Sequence, residues 1–125
     1  MRTLEIPRTD WSQALKEFSE IHEGWLVSLE ILSPSIGAQP EITDLPLLGV
    51  TFEPRDAGTI TVTAASSLSD HVTHAIPAPA RVWIERTDAG AAMALAVESA
   101  DDTKAILRFR AAALPETVDG VAQWP

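Results

Sequence analysis

Asp70, His71 and His74 are the residues whose types and spacing come nearest to a chemical site in this chain. They lie in "SDHVTHAIPAPARVW", Ser69 to Trp83, which holds two of the three histidines and has Pro77 and Pro79 close behind. Imidazoles converging with a carboxylate could hold a metal ion, and an aspartate that orients a histidine could serve acid–base chemistry. The outcome depends on the backbone. On a helix an i, i+3 pair shares a face, whereas on an extended strand the two side chains point to opposite faces. The prolines disfavour a continuing helix. The plainer reading is therefore a proline-stiffened connection feeding a strand near Arg81, with one imidazole in a structural hydrogen bond and the other solvated.

Other chemistry is scarcer. The chain has no cysteine, which excludes a disulfide framework, a thiolate metal site and a thiol nucleophile. It has no serine in a G-x-S-x-G turn, no G-x-G-x-x-G and no P-loop, so no catalytic residue is assigned and nothing calls for a nucleotide or other cofactor. Glu17, Glu20 and Glu23 form an acidic flank, which is either a solvated face or a docking surface for a basic partner. In "LRFR", Arg108 and Arg110 interleave with Phe109. That pattern suits single-stranded nucleic acid, but on a strand it is simply Phe109 facing in and the arginines facing out. A formal charge of −9, from 18 acidic against 9 basic residues, opposes binding to nucleic acid or to anionic membrane surfaces.

The elements that must position these residues follow from periodicity. In "TDWSQALKEFSEIHEGW", Trp11, Leu15, Phe18 and His22 fall on one helical stripe. Thr9 or Asp10 is placed to cap it, Gln13 follows Asp10 as in a capping box, and Gly24 sits where the helix should stop. His22 ends the stripe and reads as a packed, structural imidazole. From Trp25 the period becomes two: Trp25, Val27, Leu29 and Ile31 share a face, as do Leu48, Val50 and Phe52, and then Ile60, Val62 and Ala64. Gly49 marks a bulge or a close approach. Short turns at 88–90 and 100–102 separate three further strands, although the alanines of "AAMALAV" would also suit a helical turn.

A helix at 10–23 and strands at 25–32, 47–53, 59–65, 81–87, 92–98 and 103–110 give an α+β single domain over 1–125. In it an N-terminal amphipathic helix packs on a mostly antiparallel twisted sheet or small open barrel of about six strands. The connections Ser33–Asp44 and Ser66–Ala80 are long for a compact domain, so each is either functional or conceals a short element. The tail, 114–125, lacks periodicity and is expected to attach loosely. With no apolar leader and no run of about 20 apolar residues, the expected location is cytoplasmic, away from membranes.

Three segments, "DLPLLGVTFEP", "SDHVTHAIPAPARVWIE" and "LAVESADDTKAILRFRAAALP", resemble a family of short bacterial proteins catalogued as a domain of unknown function, numbered 5335. The resemblance runs from about Ile36 to Pro115, is most specific at "LPLLG" followed by an apolar residue and threonine, and includes the Asp70-His71 pair. It implies a compact bacterial domain and carries over no activity or site residue.

A single helix leaves sheet edges and part of a face uncovered. The expected function is thus a non-catalytic module that binds a protein partner or itself, as a homo-oligomer, through a sheet edge or the Glu17–Glu20–Glu23 flank. The alternative is a small-molecule or metal-binding protein, or an enzyme, using Asp70, His71 and His74.

Overall fold

The computed structural model describes residues 2–67 and 69–110; the tail at 114–125 lies outside them. Eight strands form one antiparallel sheet that does not close: β1 (Arg2–Ile6), β2 (Leu26–Ser33), β3 (Gly37–Glu53), β4 (Thr59–Ala65), β5 (His71–Pro77), β6 (Pro79–Arg86), β7 (Ala92–Ser99) and β8 (Lys104–Phe109). Their order is β1-β6-β7-β8-β2-β3-β4-β5, so β1 and β5 are the two edges. The helix α1, Trp11–His22, follows a 3-10 turn at Arg8–Asp10 and packs on β3. The class matches the expectation, and the count of six strands is corrected to eight.

Both extra strands have a physical explanation. β1 is short and exposed, with only Leu4 and Ile6 as apolar residues to alternate against Thr3 and Glu5, and with Arg2 at the start of their own face. β5 lies inside the stretch Ser66–Ala80, where polar histidines stand at strand positions and the prolines fall only at its end and beyond. The other long connection, Ser33–Asp44, is mostly strand as well, because β3 begins at Gly37. Its first half pairs with β2 and its second half, Leu47–Glu53, pairs with β4. The "AAMALAV" segment is strand, held between β6 and β8.

The strand faces largely follow the period of two. Val27 and Leu29, Ile60, Val62 and Ala64, Val82 and Ile84, and Leu107 and Phe109 turn inward onto Trp11, Leu15 and Phe18 of α1. Leu48, expected to face inward beside Val50, is instead exposed while Leu47 is fully buried. The register between β3 and β4 shifts between Leu47 and Gly49, and this bulge reverses the alternation. Gly49 also lies close under α1, where an added Cβ would stand 3.7 Å from Ser19 Oγ.

Helix and sheet are joined at that point by one hydroxyl. Ser19 Oγ accepts the Val50 N–H at 2.8 Å, and its proton is shared between the carbonyls of Leu15, at 2.7 Å, and Val50, at 3.0 Å. Ser19→Ala is expected to leave the Val50 N–H unpaired and to cost about 1–3 kcal/mol, read by chemical denaturation.

The expected cap is not made. Neither Thr9 nor Asp10 caps α1 with its side chain, because Asp10 is already in helical conformation within the 3-10 turn. The Gln13 amide donates forward to Glu17 Oε1 at 2.9 Å instead of back toward the cap. Gly24, in contrast, ends the helix in the left-handed region at φ +87°. Ala78 takes the same region at φ +49° without glycine's freedom. Its N–H bonds the Gly58 carbonyl at 3.0 Å and its carbonyl accepts from Ala100 at 2.9 Å, and this kink carries the chain from β5 into β6.

Candidate functional site

Asp70, His71 and His74 do not converge. On β5, Val72, His74 and Ile76 stand opposite Ala64, Val62 and Ile60 of β4 and share their face, while His71 lies exposed on the other. His74 instead comes near Glu41, with Nδ1 4.0 Å from Oε2 and both side chains partly exposed. Asp70 belongs to the turn before β5: its Oδ2 accepts from Ser66 Oγ at 3.1 Å and its N–H donates to the Ser67 carbonyl at 3.2 Å. Among the described residues no group of three His, Asp or Glu is placed to hold a metal ion. Glu17, Glu20 and Glu23 are all exposed along α1.

Glu17 borders the more promising feature, a cleft of about 320 Å³ between α1 and the β1–β6–β7 end of the sheet. Its apolar lining comes from Ala14, Phe18 and Ile21 of the helix and from Leu4, Ile6 and Ile84 of the sheet. Two of these are unusually open for large apolar side chains: Leu4 is 51% exposed and Ile21 50%. The sequence alternation in β1 explains the sheet side. Arg2, Leu4 and Ile6 stand across the ladder from Arg86, Ile84 and Val82, so the inward face of β1 continues the core and then runs out at an edge. A second, shallower depression of about 250 Å³ lies on the outer face around Trp83, Ala94 and Ala96. There Arg81 and Lys104 already sit on the Trp83 ring, at 4.9 and 5.7 Å. Arg81 also pairs with Glu5 at 2.9 Å, which holds the Glu5 carboxyl below its usual range.

The polar groups of the cleft are Glu17, His22 and Arg86. His22 is 5% exposed and forms its inner wall. Its ring packs against Phe18, Trp25 and Phe109 at centroid distances of 4.6, 4.5 and 4.7 Å. Nδ1 lies 2.7 Å from the Phe18 carbonyl, so in the neutral ring Nδ1 carries the proton and Nε2 is left as an acceptor. Burial lowers the His22 pKa, the hydrogen bond to Phe18 opposes this, and the positive charge of Arg86 adds a further lowering. The ring is therefore neutral at pH 7.

Arg86 reaches the Gly90 carbonyl with Nη1 at 3.2 Å. Directly across the ladder stands another cation, Arg2. Like charges at facing positions of an antiparallel pair repel. The ion pairs seen among the described residues involve His74, Arg81 and Arg108, and neither Arg2 nor Arg86 is in one. The sequence alone does not point to Leu4, Ile84 and Arg86, since nothing in the order of residues states that β1 lies beside β6. The one available signal was the alternation in "RTLEI".

The sequence matches the model of a family described as "Family of unknown function (DUF5335)" over residues 2–117. It is similar to an uncharacterized protein of Aquifex aeolicus (strain VF5), with 31% identity over 117 residues, which cover 93% of this chain and all of that relative. No solved structure matches. Among the described residues no helix is long and apolar enough to cross a membrane.

Proposed function

The chain belongs to the DUF5335 family of unknown function, and within it we propose a module that associates with a second copy of itself through the open edge of β1. The observation that carries this reading is the pattern of that edge. β1 has β6 as its strand neighbour on one side and, among the described residues, no strand on the other, and its central residue, Leu4, is half exposed. An unpaired edge with an open apolar side chain is a template for strand addition.

The edge is also self-complementary. Antiparallel pairing of β1 with its copy about a two-fold axis at Leu4 sets Leu4 against Leu4, Thr3 against Glu5 and Arg2 against Ile6, so no two like charges face each other. The strand carries Arg2 and Glu5 as its charged groups, which makes it locally neutral in a chain of net charge −9. Electrostatic repulsion between copies is thus small here.

Light scattering during size-exclusion chromatography tests the proposal. A dimer is expected, and Leu4→Asp, which would set two carboxylates against each other on the axis, is expected to return it to monomer with its circular dichroism unchanged. A strict monomer at high concentration would remove the reading.

A further inference from the structure

Beyond self-association, we infer that the cleft between α1 and β1–β6 is a binding site for a small amphipathic carboxylate, with the apolar part among Leu4, Ile21 and Ile84 and the carboxylate on Arg86 and Arg2. Charge is unevenly matched here. In a chain with 18 acidic and 9 basic residues, two arginines stand at facing positions of one ladder, and neither joins an ion pair with a carboxylate of the described chain. Elsewhere on the same sheet, Arg81 and Arg108 are matched with Glu5 and Glu30. Arginines at facing positions of a ladder can relieve their repulsion by sharing an anion, and their planar donor forks suit a carboxylate.

The surroundings fix what that anion carries. Arg86 lines a cleft whose remaining walls are mostly apolar, and whose volume of about 320 Å³ is at the lower end for small-molecule sites. An inorganic anion would leave those walls in water, and a fully apolar molecule would leave the guanidiniums unmatched. A molecule with one carboxylate and a short hydrocarbon chain satisfies both. His22 contributes a neutral ring to the inner wall and no competing cation, since burial lowers its pKa. Glu17, on the helical rim, is the single carboxylate of the lining and bonds with Gln13. It disfavours an anion lying along the helix, and so orients the head toward β1 and β6.

Octanoate, octanol and octylamine separate the contributions of head and chain. Each is titrated into the full chain at pH 7 while the methyl resonances of Leu4, Ile21 and Ile84 are followed by NMR. Octanoate is expected to saturate and to bind about tenfold or more tightly than octanol, as a charge-assisted hydrogen bond implies. That preference should disappear in Arg86→Gln and weaken in Arg2→Gln, whose exposed position leaves the fold intact if the Gly90 contact of Arg86 proves structural. Equal binding of octanoate and octanol, preference for octylamine, shifts confined to residues around Trp83, or no saturation by any of the three would each overturn the inference. The oligomeric state, measured separately, tests the edge proposal whichever result is obtained here.

Discussion

Trp11→Ala is expected to destabilise the protein by about 3–5 kcal/mol, the range for truncating a buried tryptophan, out of a total of about 5–15 kcal/mol for a domain. Trp11 is 1% exposed and links three parts of the fold. Its ring meets Phe52 of β3 edge-on at 5.1 Å, and the Arg8 guanidinium covers its face at 4.8 Å. Its indole N–H donates to the Ile6 carbonyl at 2.9 Å, which fastens the end of β1 to the start of α1. Trp11→Phe isolates that last contact. It keeps most of the packing, leaves the Ile6 carbonyl without its donor, and is expected to cost about 1–3 kcal/mol. Denaturant titration gives both values, and hydrogen exchange shows where they act: in Trp11→Phe the β1 amides should exchange faster while those of β4 stay protected. A loss below 1 kcal/mol for Trp11→Ala would mean that β1 is not held through this residue.

The second large effect is a fall in stability on mild acidification, carried by His22. Because the folded ring has a lowered pKa, the unfolded state binds more protons than the folded state below the unfolded value of about 6.5. Its contribution is therefore fully present above that pH. It is lost as the pH falls through about 6.5 toward the lower folded pKa. Each unit between the two values removes about 1.4 kcal/mol. Denaturation midpoints measured between pH 7.5 and 5 should show this slope, and His22→Phe should flatten it while keeping a ring among Phe18, Trp25 and Phe109. Glu5 and Asp101 have lowered carboxyl pKa values, through Arg81 and the Thr103 backbone N–H respectively. Their contributions are lost only as the pH falls below the ordinary carboxylate range, so the two windows separate.

The parts of this fold that were legible in the sequence are those in which pattern and burial coincide. Trp11, Leu15, Phe18 and His22 form the buried stripe of α1, and "TITVTAA" alternates as β4 does. Leu48 misled because a bulge is an insertion in pairing, and pairing is invisible until the partner strand is known. β5 is hard to read in the sequence because polar His71 and His74 interrupt its apolar alternation, although Val72, His74 and Ile76 keep the strand period and the prolines begin only where the strand ends. The strand geometry itself sends the two histidines to opposite sides. The cleft was not readable at all. Its walls combine residues near the N-terminus with Ile84 and Arg86, and only the topology brings them together.

The pairing of β1 with β6 has a consequence in time. Arg2 finds its place opposite Arg86, 86 − 2 = 84 residues later. At a synthesis rate of about 5–20 residues per second, the first strand made waits roughly 4–17 s before its neighbour has been translated. Until β6 is made, Leu4 and Ile6 lack the strand they pair with. A segment long open to wrong partners during birth is thus one that, among the described residues, still lies at an edge of the sheet.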